Sequence, residues 1–156
     1  MSNNIAIFAH MKHTQHIWAI VMAACLIACS CSAKNTIVKV QDLPQAVQSF
    51  LAAHFSNTDV AVAVKDGNEY EIRMDNGWEV EFDNKGQWEK IDCQRDAIPA
   101  SVTSTLPEAI VSYLNSNFEK AFVTEIARDR SGYDVELSNG IDLEFTSKGR
   151  FKRIDD

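Results

Sequence analysis

Histidine and cysteine nearly vanish from this chain once its first 33 residues are passed, leaving only His54 and Cys93. A single thiol cannot build a disulfide framework, and no motif joins it to the histidine as a metal site or an activated nucleophile. No HExxH, no glycine loop for phosphate and no serine motif with a placed histidine occurs, so nothing supports catalysis. Acids are missing before Asp42, and all 22 Asp and Glu lie at or beyond it. Of the 15 Lys and Arg, only Lys12 comes before the apolar run near the start, and the others form no basic cluster. An acidic body of this kind argues against nucleic acid, whose phosphates need Lys and Arg, and against anionic lipid headgroups. No apolar run reaches the ~20 residues that span a bilayer. The apolar fraction of 46% still provides a core, so the chain is not disordered.

The longest apolar run, Ile17 to Cys29, follows Lys12 and His13 and has the length of a signal-peptide core. Residues 1–33 are therefore expected to be an export leader, with Met11 a more natural start than Met1. Leu26-Ile27-Ala28-Cys29 resembles a bacterial lipobox, which makes Cys29 the lipidation candidate. Ordinary cleavage after Ala33 is the alternative, and the lipobox is preferred. On this reading residues 34–41 are a tether, and the protein is exported, either periplasmic or held to a membrane only through that N-terminal lipid.

Past the leader, the chain writes one sentence twice. DNGWEVEFDNKGQWEKID (residues 75–92) returns as SNGIDLEFTSKGRFKRID (138–155). An offset of 63 needs no gap from Leu43/Leu106 to Asp92/Asp155, and about a third of the pairs are identical. Leu43-Pro44, Phe55, Tyr70, Asn76-Gly77, Glu81-Phe82, Lys85-Gly86 and Ile91-Asp92 all recur.

Each copy opens with helical spacing: Leu43, Val47, Phe50, Leu51, Phe55, then Leu106, Ile110, Tyr113, Leu114, Phe118. Asp42 with Gln45, and Thr105 with Glu108, are spaced as capping boxes. Strands follow, at about 58–65, 69–74, 78–83 and 87–92 in the first copy. Asn76-Gly77 and Asn139-Gly140 suggest type I′ hairpin turns, and Lys85-Gly86 and Lys148-Gly149 a slightly longer loop with a left-handed glycine. Alternation points Tyr70, Ile72, Met74, Trp78, Val80 and Phe82 inward, and Glu69, Glu71, Arg73, Glu79 and Glu81 outward. The second copy matches, with Asp134, Glu136, Asp142 and Glu144 outward. The first strand of each copy alternates too poorly to assign. The expected fold is α+β: two tandem repeats, 42–92 and 105–156, each a helix packed on a four-stranded antiparallel meander. A linker at 93–104 carries a short helical turn near Pro99.

The order of these motifs, written twice, resembles the PepSY-like family, also described as β-lactamase-inhibitor-like. The carriers are the Leu-Pro helix starts, His54-Phe55 and Asn117-Phe118, Asn-Gly, Glu-Phe, and Lys-Gly followed by an aromatic and Ile-Asp. The resemblance implies a secreted or lipid-anchored bacterial envelope protein. Its fold is similar to that of the β-lactamase inhibitory protein, whose paired sheets form a concave binding face. It implies no catalytic residues. Ile37-Val38-Lys39-Val40 departs from Ile98-Pro99-Ala100-Ser101, so the short helix before the main one is expected to be absent from the first copy.

Two surfaces are candidates for binding. Glu79, Glu81, Asp142 and Glu144 point outward as the solvated side of a half-buried sheet, or as a docking face for a basic partner. Trp88 and Phe151 fall out of step with Ile91 and Ile154 and are candidate aromatic anchors. Asp75-Asn76 and Asp83-Asn84 lack the further oxygens of a calcium loop, so no metal site is expected, and no cofactor is implied. The expected role is a non-enzymatic module binding a protein or peptide of the cell envelope, with inhibition of a secreted hydrolase as its sharper form. A small-ligand or cation sensor of the periplasm is the alternative.

Overall fold

The computed structural model describes residues 35–155; the expected leader, with Cys29 and Ala33, lies outside them. Nine strands form one sheet in simple sequence order, each antiparallel to the next. They are β1 (Thr36–Val38), β2 (Val60–Asp66), β3 (Glu69–Met74), β4 (Glu79–Phe82), β5 (Trp88–Asp92), β6 (Val123–Arg128), β7 (Gly132–Leu137), β8 (Asp142–Thr146) and β9 (Phe151–Asp155). Helix α1 (Gln45–His54) precedes β2, a short α2 (Ala100–Thr103) follows β5, and α3 (Glu108–Asn117) precedes β6.

Period-two alternation puts one apolar row across every strand. Val38, Ala63, Ile72, Val80, Ile91, Ile126, Val135, Leu143 and Ile154 are successive cross-strand partners. The helices cover this row and leave its middle seven members buried. Val47 and Leu51 of α1, Val102 of α2 and Ile110 of α3 close the core from above. The halves use the same contacts 63 residues apart. Phe50 meets Phe82 edge-on at 5.5 Å and 83°, and Tyr113 meets Phe145 at 5.5 Å and 82°. Edge-to-face packing of this kind adds roughly 0.5–1.5 kcal/mol beyond area burial.

Several expectations require correction. The 34–41 segment is not wholly a tether, because Thr36–Val38 pairs with Ala63–Lys65 as the first edge strand. A single 3-10 turn, Val40–Asp42, stands where the second half has α2. The capping boxes do not form. Pro44 and Pro107 are the N-caps, neither helix start has a side-chain cap bond, and the Thr105 hydroxyl donates to the Val102 carbonyl instead. The Asn-Gly turns are not type I′ either. Only their glycines have positive φ, 88° at Gly77 and 78° at Gly140. Gly77 N–H donates to the Met74 carbonyl and Met74 N–H to the Trp78 carbonyl, which closes a three-residue loop ending in a left-handed glycine. Gly86 with Asp83, Gly140 with Leu137 and Gly149 with Thr146 repeat that first bond.

Candidate binding face

The side of the sheet away from the helices is built entirely from strand residues, and its order follows from the pairing register. One row runs Arg73, Glu79, Asp92, Glu125, Glu136, Asp142, Asp155. Six successive strands thus place an acid in one line, roughly 24 Å long at ~4.8 Å per strand. A parallel row runs Glu71, Glu81, Lys90, Ala127, Asp134, Glu144, Arg153. The two rows flank the buried apolar row, so both follow from the same alternation.

Bases on the face are tied to the acids. Arg73 bridges Glu79 at 2.7 Å and Glu71 at 3.1 Å. Lys90 reaches Glu125 at 3.0 Å, across the seam between β5 and β6. Arg153 pairs with Glu144, and Lys152 reaches the other oxygen of Glu144 at 3.4 Å. The acids remain in excess, and their crowding shows in their titration. Lost hydration pushes the Glu81 carboxyl above its ordinary value. Glu71, Glu79 and Glu69 add to that push, and Lys90 opposes it. Asp134 is raised in the same way, by burial and then by Glu144 and Asp129. Burial pulls the Lys90 ammonium down, but Glu125, Asp92 and Glu81 outweigh it and leave it raised.

The four acids read from the sequence lie on this face. Glu79 and Asp142 fall in one row, four strands apart, and Glu81 and Glu144 in the other. The sequence reading also turned Asp134 and Glu136 outward, but it missed Asp92 and Glu125 as members of the same surface. Pairing of β5 with β6 joins them into one line, and no local pattern announces that pairing. Among the described residues, no three Asp, Glu, His or Cys side chains converge as a metal site.

The aromatic candidates fare differently. Trp88 is not a surface anchor: it is only 6% exposed. A bulge between β4 and β5 pairs Phe82 with Trp88 while Glu81 pairs with Lys90, so Trp88 and Ile91 both face the core despite their parity. The Arg128 guanidinium then covers the indole at 4.1 Å, and its Nε donates to the Trp88 carbonyl at 2.6 Å. Phe151, the counterpart, stays 39% exposed. It stacks on Tyr113 of α3 at 4.6 Å, on the helix side of the sheet and away from the acids.

Two grooves also recur 63 residues apart, each between a main helix and the strand after it. One, of about 600 Å³, is lined by Gln48, Leu51, Phe55 and Val60 among others. The other, of about 440 Å³, is lined by Val111, Leu114, Phe118 and Val123. Neither lies between the two halves.

Comparison with known proteins places this geometry. A family described as "Putative beta-lactamase-inhibitor-like, PepSY-like" matches residues 29–83 and 68–153. No curated protein matches. Among solved structures, a "putative calcium-regulated periplasmic protein" from Bacteroides thetaiotaomicron is 36% identical, with a TM-score of 0.73; the match covers 78% of this chain and 97% of that one. A "putative periplasmic protein" from Bacteroides vulgatus is 32% identical, with a TM-score of 0.74, and the match covers 80% and 99% of the two chains. A second from the same organism, described as of unknown function, is 32% identical at a TM-score of 0.72, covering 79% and 100%. With the family pattern running through both halves and relatives matched over nearly their whole length, the chain belongs to the PepSY-like family.

Proposed function

We propose that this protein is a non-enzymatic module of the bacterial envelope, built from two copies of one helix-and-meander unit, that binds a basic protein or peptide on its acidic sheet face. The observation carrying the reading is the line of six acids on consecutive strands, on a face that no described helix covers. A broad sheet with fixed backbone loses little entropy on docking, and a one-signed surface speeds encounter with a basic partner. Export is supported by the leader pattern and by the periplasmic descriptions of the relatives. Inhibition of a secreted hydrolase is the sharper form of the proposal and rests on the family description.

The test begins with capture of envelope proteins on the full-length chain, then one-to-one titration with each purified binder. Glu136→Gln/Asp142→Asn/Glu144→Gln should weaken a true partner by tenfold or more and flatten the salt dependence of binding. An unchanged affinity refutes the acidic face as the site. Assay of a captured hydrolase with and without the chain decides the inhibitor form.

A second reading is favoured by the calcium-regulated description of one relative: the acidic face gathers a divalent cation. Millimolar calcium should then raise the melting temperature of the wild type and not of the triple variant. An equal shift in both, or none, removes it.

A further inference from the structure

The edge strand β9 repeats the sequence positions of β5 but not their burial. Ile91 is fully buried, whereas its counterpart Ile154 is 44% exposed. The difference has one structural cause. Lys90, Ile91 and Asp92 pair with Ala127, Ile126 and Glu125 of β6, while among the described residues nothing pairs with the outer side of Arg153, Ile154 and Asp155. The molecule therefore holds one worked example of what closes this edge: a three-residue antiparallel seam with isoleucine facing isoleucine and a Lys90–Glu125 ion pair at 3.0 Å on the acidic face.

We infer that β9 is a self-pairing edge, and that two copies of this chain join through it as a closed, two-fold dimer with one continuous sheet. The sequence of the edge selects the second copy. Antiparallel self-pairing about a dyad at Ile154 sets Ile154 against its mate and Arg153 against Asp155 of the other chain, twice. This reproduces the apolar contact of the β5–β6 seam and, where that seam has one diagonal Lys90–Glu125 pair, sets two opposite charges directly against each other. A dyad at Arg153 would oppose two guanidiniums and put Ile154 against Lys152. Lys152 cannot be the centre, because it is the extra residue of the bulge where Glu144 pairs with Arg153 and Phe145 with Phe151.

The other edge of the sheet fits less well. Thr36, Ile37 and Val38 of β1 offer no charge to Arg153 or Asp155. Such head-to-tail addition would also leave new edges at every step and grow filaments, while the dyad closes. Charged edge strands usually block pairing. Here the order of signs blocks other partners and admits the strand's own reverse. This inference is independent of the acidic-face reading, since a monomer could still bind a basic partner and a dimer need not.

Sedimentation equilibrium of the full-length chain tests it. Wild type should show a reversible monomer–dimer equilibrium. Ile154→Lys should weaken dimerisation at least tenfold, with its thermal melting unchanged as a check on folding. Arg153→Asp sets carboxylate against carboxylate at both charge pairs of the seam, and Asp155→Arg sets guanidinium against guanidinium, so each alone should be monomeric. Mixed one-to-one, these two variants should form a heterodimer, and the double exchange Arg153→Asp/Asp155→Arg should dimerise again. A wild type that stays monomeric at ~100 μM overturns the inference, as does association untouched by Ile154→Lys. A mixture of the two charge variants that stays unassociated also overturns it.

Discussion

The hairpin glycines offer the cleanest measurement of what holds the helices on the sheet. Gly77, Gly86, Gly140 and Gly149 share one turn geometry, with φ of 88°, 75°, 78° and 76°. Alanine at any of them costs about 1–2 kcal/mol for the left-handed backbone. A Cβ at Gly77 or Gly140 meets nothing within 4 Å. At Gly86 it falls 2.7 Å from the Ala46 Cβ and 3.3 Å from Val47, in the first turn of α1. At Gly149 it falls 2.8 Å from the Pro107 Cβ and 3.2 Å from Ile110. These neighbours belong to helix starts seated on the core, so they move only if the helix lifts, which adds about 1–3 kcal/mol. Gly86→Ala and Gly149→Ala should therefore lose roughly 2–5 kcal/mol against about 1–2 for Gly77→Ala and Gly140→Ala. Urea unfolding reads the difference at constant m-value; with m near 2 kcal/mol/M, an extra ~2 kcal/mol moves the midpoint by about 1 M. The reduced freedom of the unfolded chain on replacing Gly by Ala is common to all four and cancels in the comparison. Equal midpoints for Gly77→Ala and Gly86→Ala would show that the hairpin tips do not bear on the helices, and would refute the argument.

Gly132→Ala should be the most damaging of the glycine changes, because its Cβ would lie 1.8 Å from the Phe145 carbonyl oxygen on β8; soluble yield and near-ultraviolet dichroism would show it. Trp88→Ala should cost about 3–5 kcal/mol as a core truncation, with Trp88→Phe recovering most of it, so a native-like midpoint for the alanine variant would contradict the burial. Cys93 is buried and its thiol is pushed up to about 12, by burial first and then by Asp92 and Asp96, so it should resist alkylation in the folded protein and react in urea, as peptide mapping would detect. Glu81, Asp134 and Glu89 have folded values above their unfolded ones, so the folded state binds their protons more tightly and stability should fall as pH rises from about 4 through those raised values. Glu81→Gln should stabilise the protein at pH 7 and flatten that slope, and a melting curve unmoved by pH between 4 and 7 would count against it.

Much of this fold is legible in the sequence because alternation is a local signal. Tyr70, Ile72, Val80 and Phe82 take the helix side and Glu79 and Glu81 the other, as period-two reading predicts. Reading fails where a bulge resets the period. Register shifts between Val60 and Val62, and between Val123 and Glu125, are why β2 and β6 alternate poorly in sequence. The shift beside Glu81 is why Trp88 looks displaced from the core when its parity alone is counted. Pro44 and Pro107 mark the helix starts correctly, but proline itself supplies the stop, so the spaced Asp42 and Thr105 have no cap to make. The middle of the acidic face is hidden for another reason. Asp92 and Glu125 lie 33 positions apart, and their partnership is set by how the halves dock.

That docking rule also accounts for β1. On β6, the inward residue of β5 opposite Ile126 is Ile91; on β2, the residue opposite Ala63, the counterpart of Ile126, is Val38. β1 thus occupies on the first half the place that β5 occupies on the second, with Val38 supplying the apolar contact. Without β1 the seven-residue β2 would itself be the edge, and a long open edge is a ready template for another chain. A three-residue strand without charge is enough to fill that edge, because the seam it imitates is itself three pairs long. The sheet therefore ends in a short uncharged strand on one side and a charged five-residue strand on the other. Of the two edge strands described, β9 alone joins a half-exposed apolar residue of the core row to charges of opposite sign, and a closed pair is the assembly that uses that edge up.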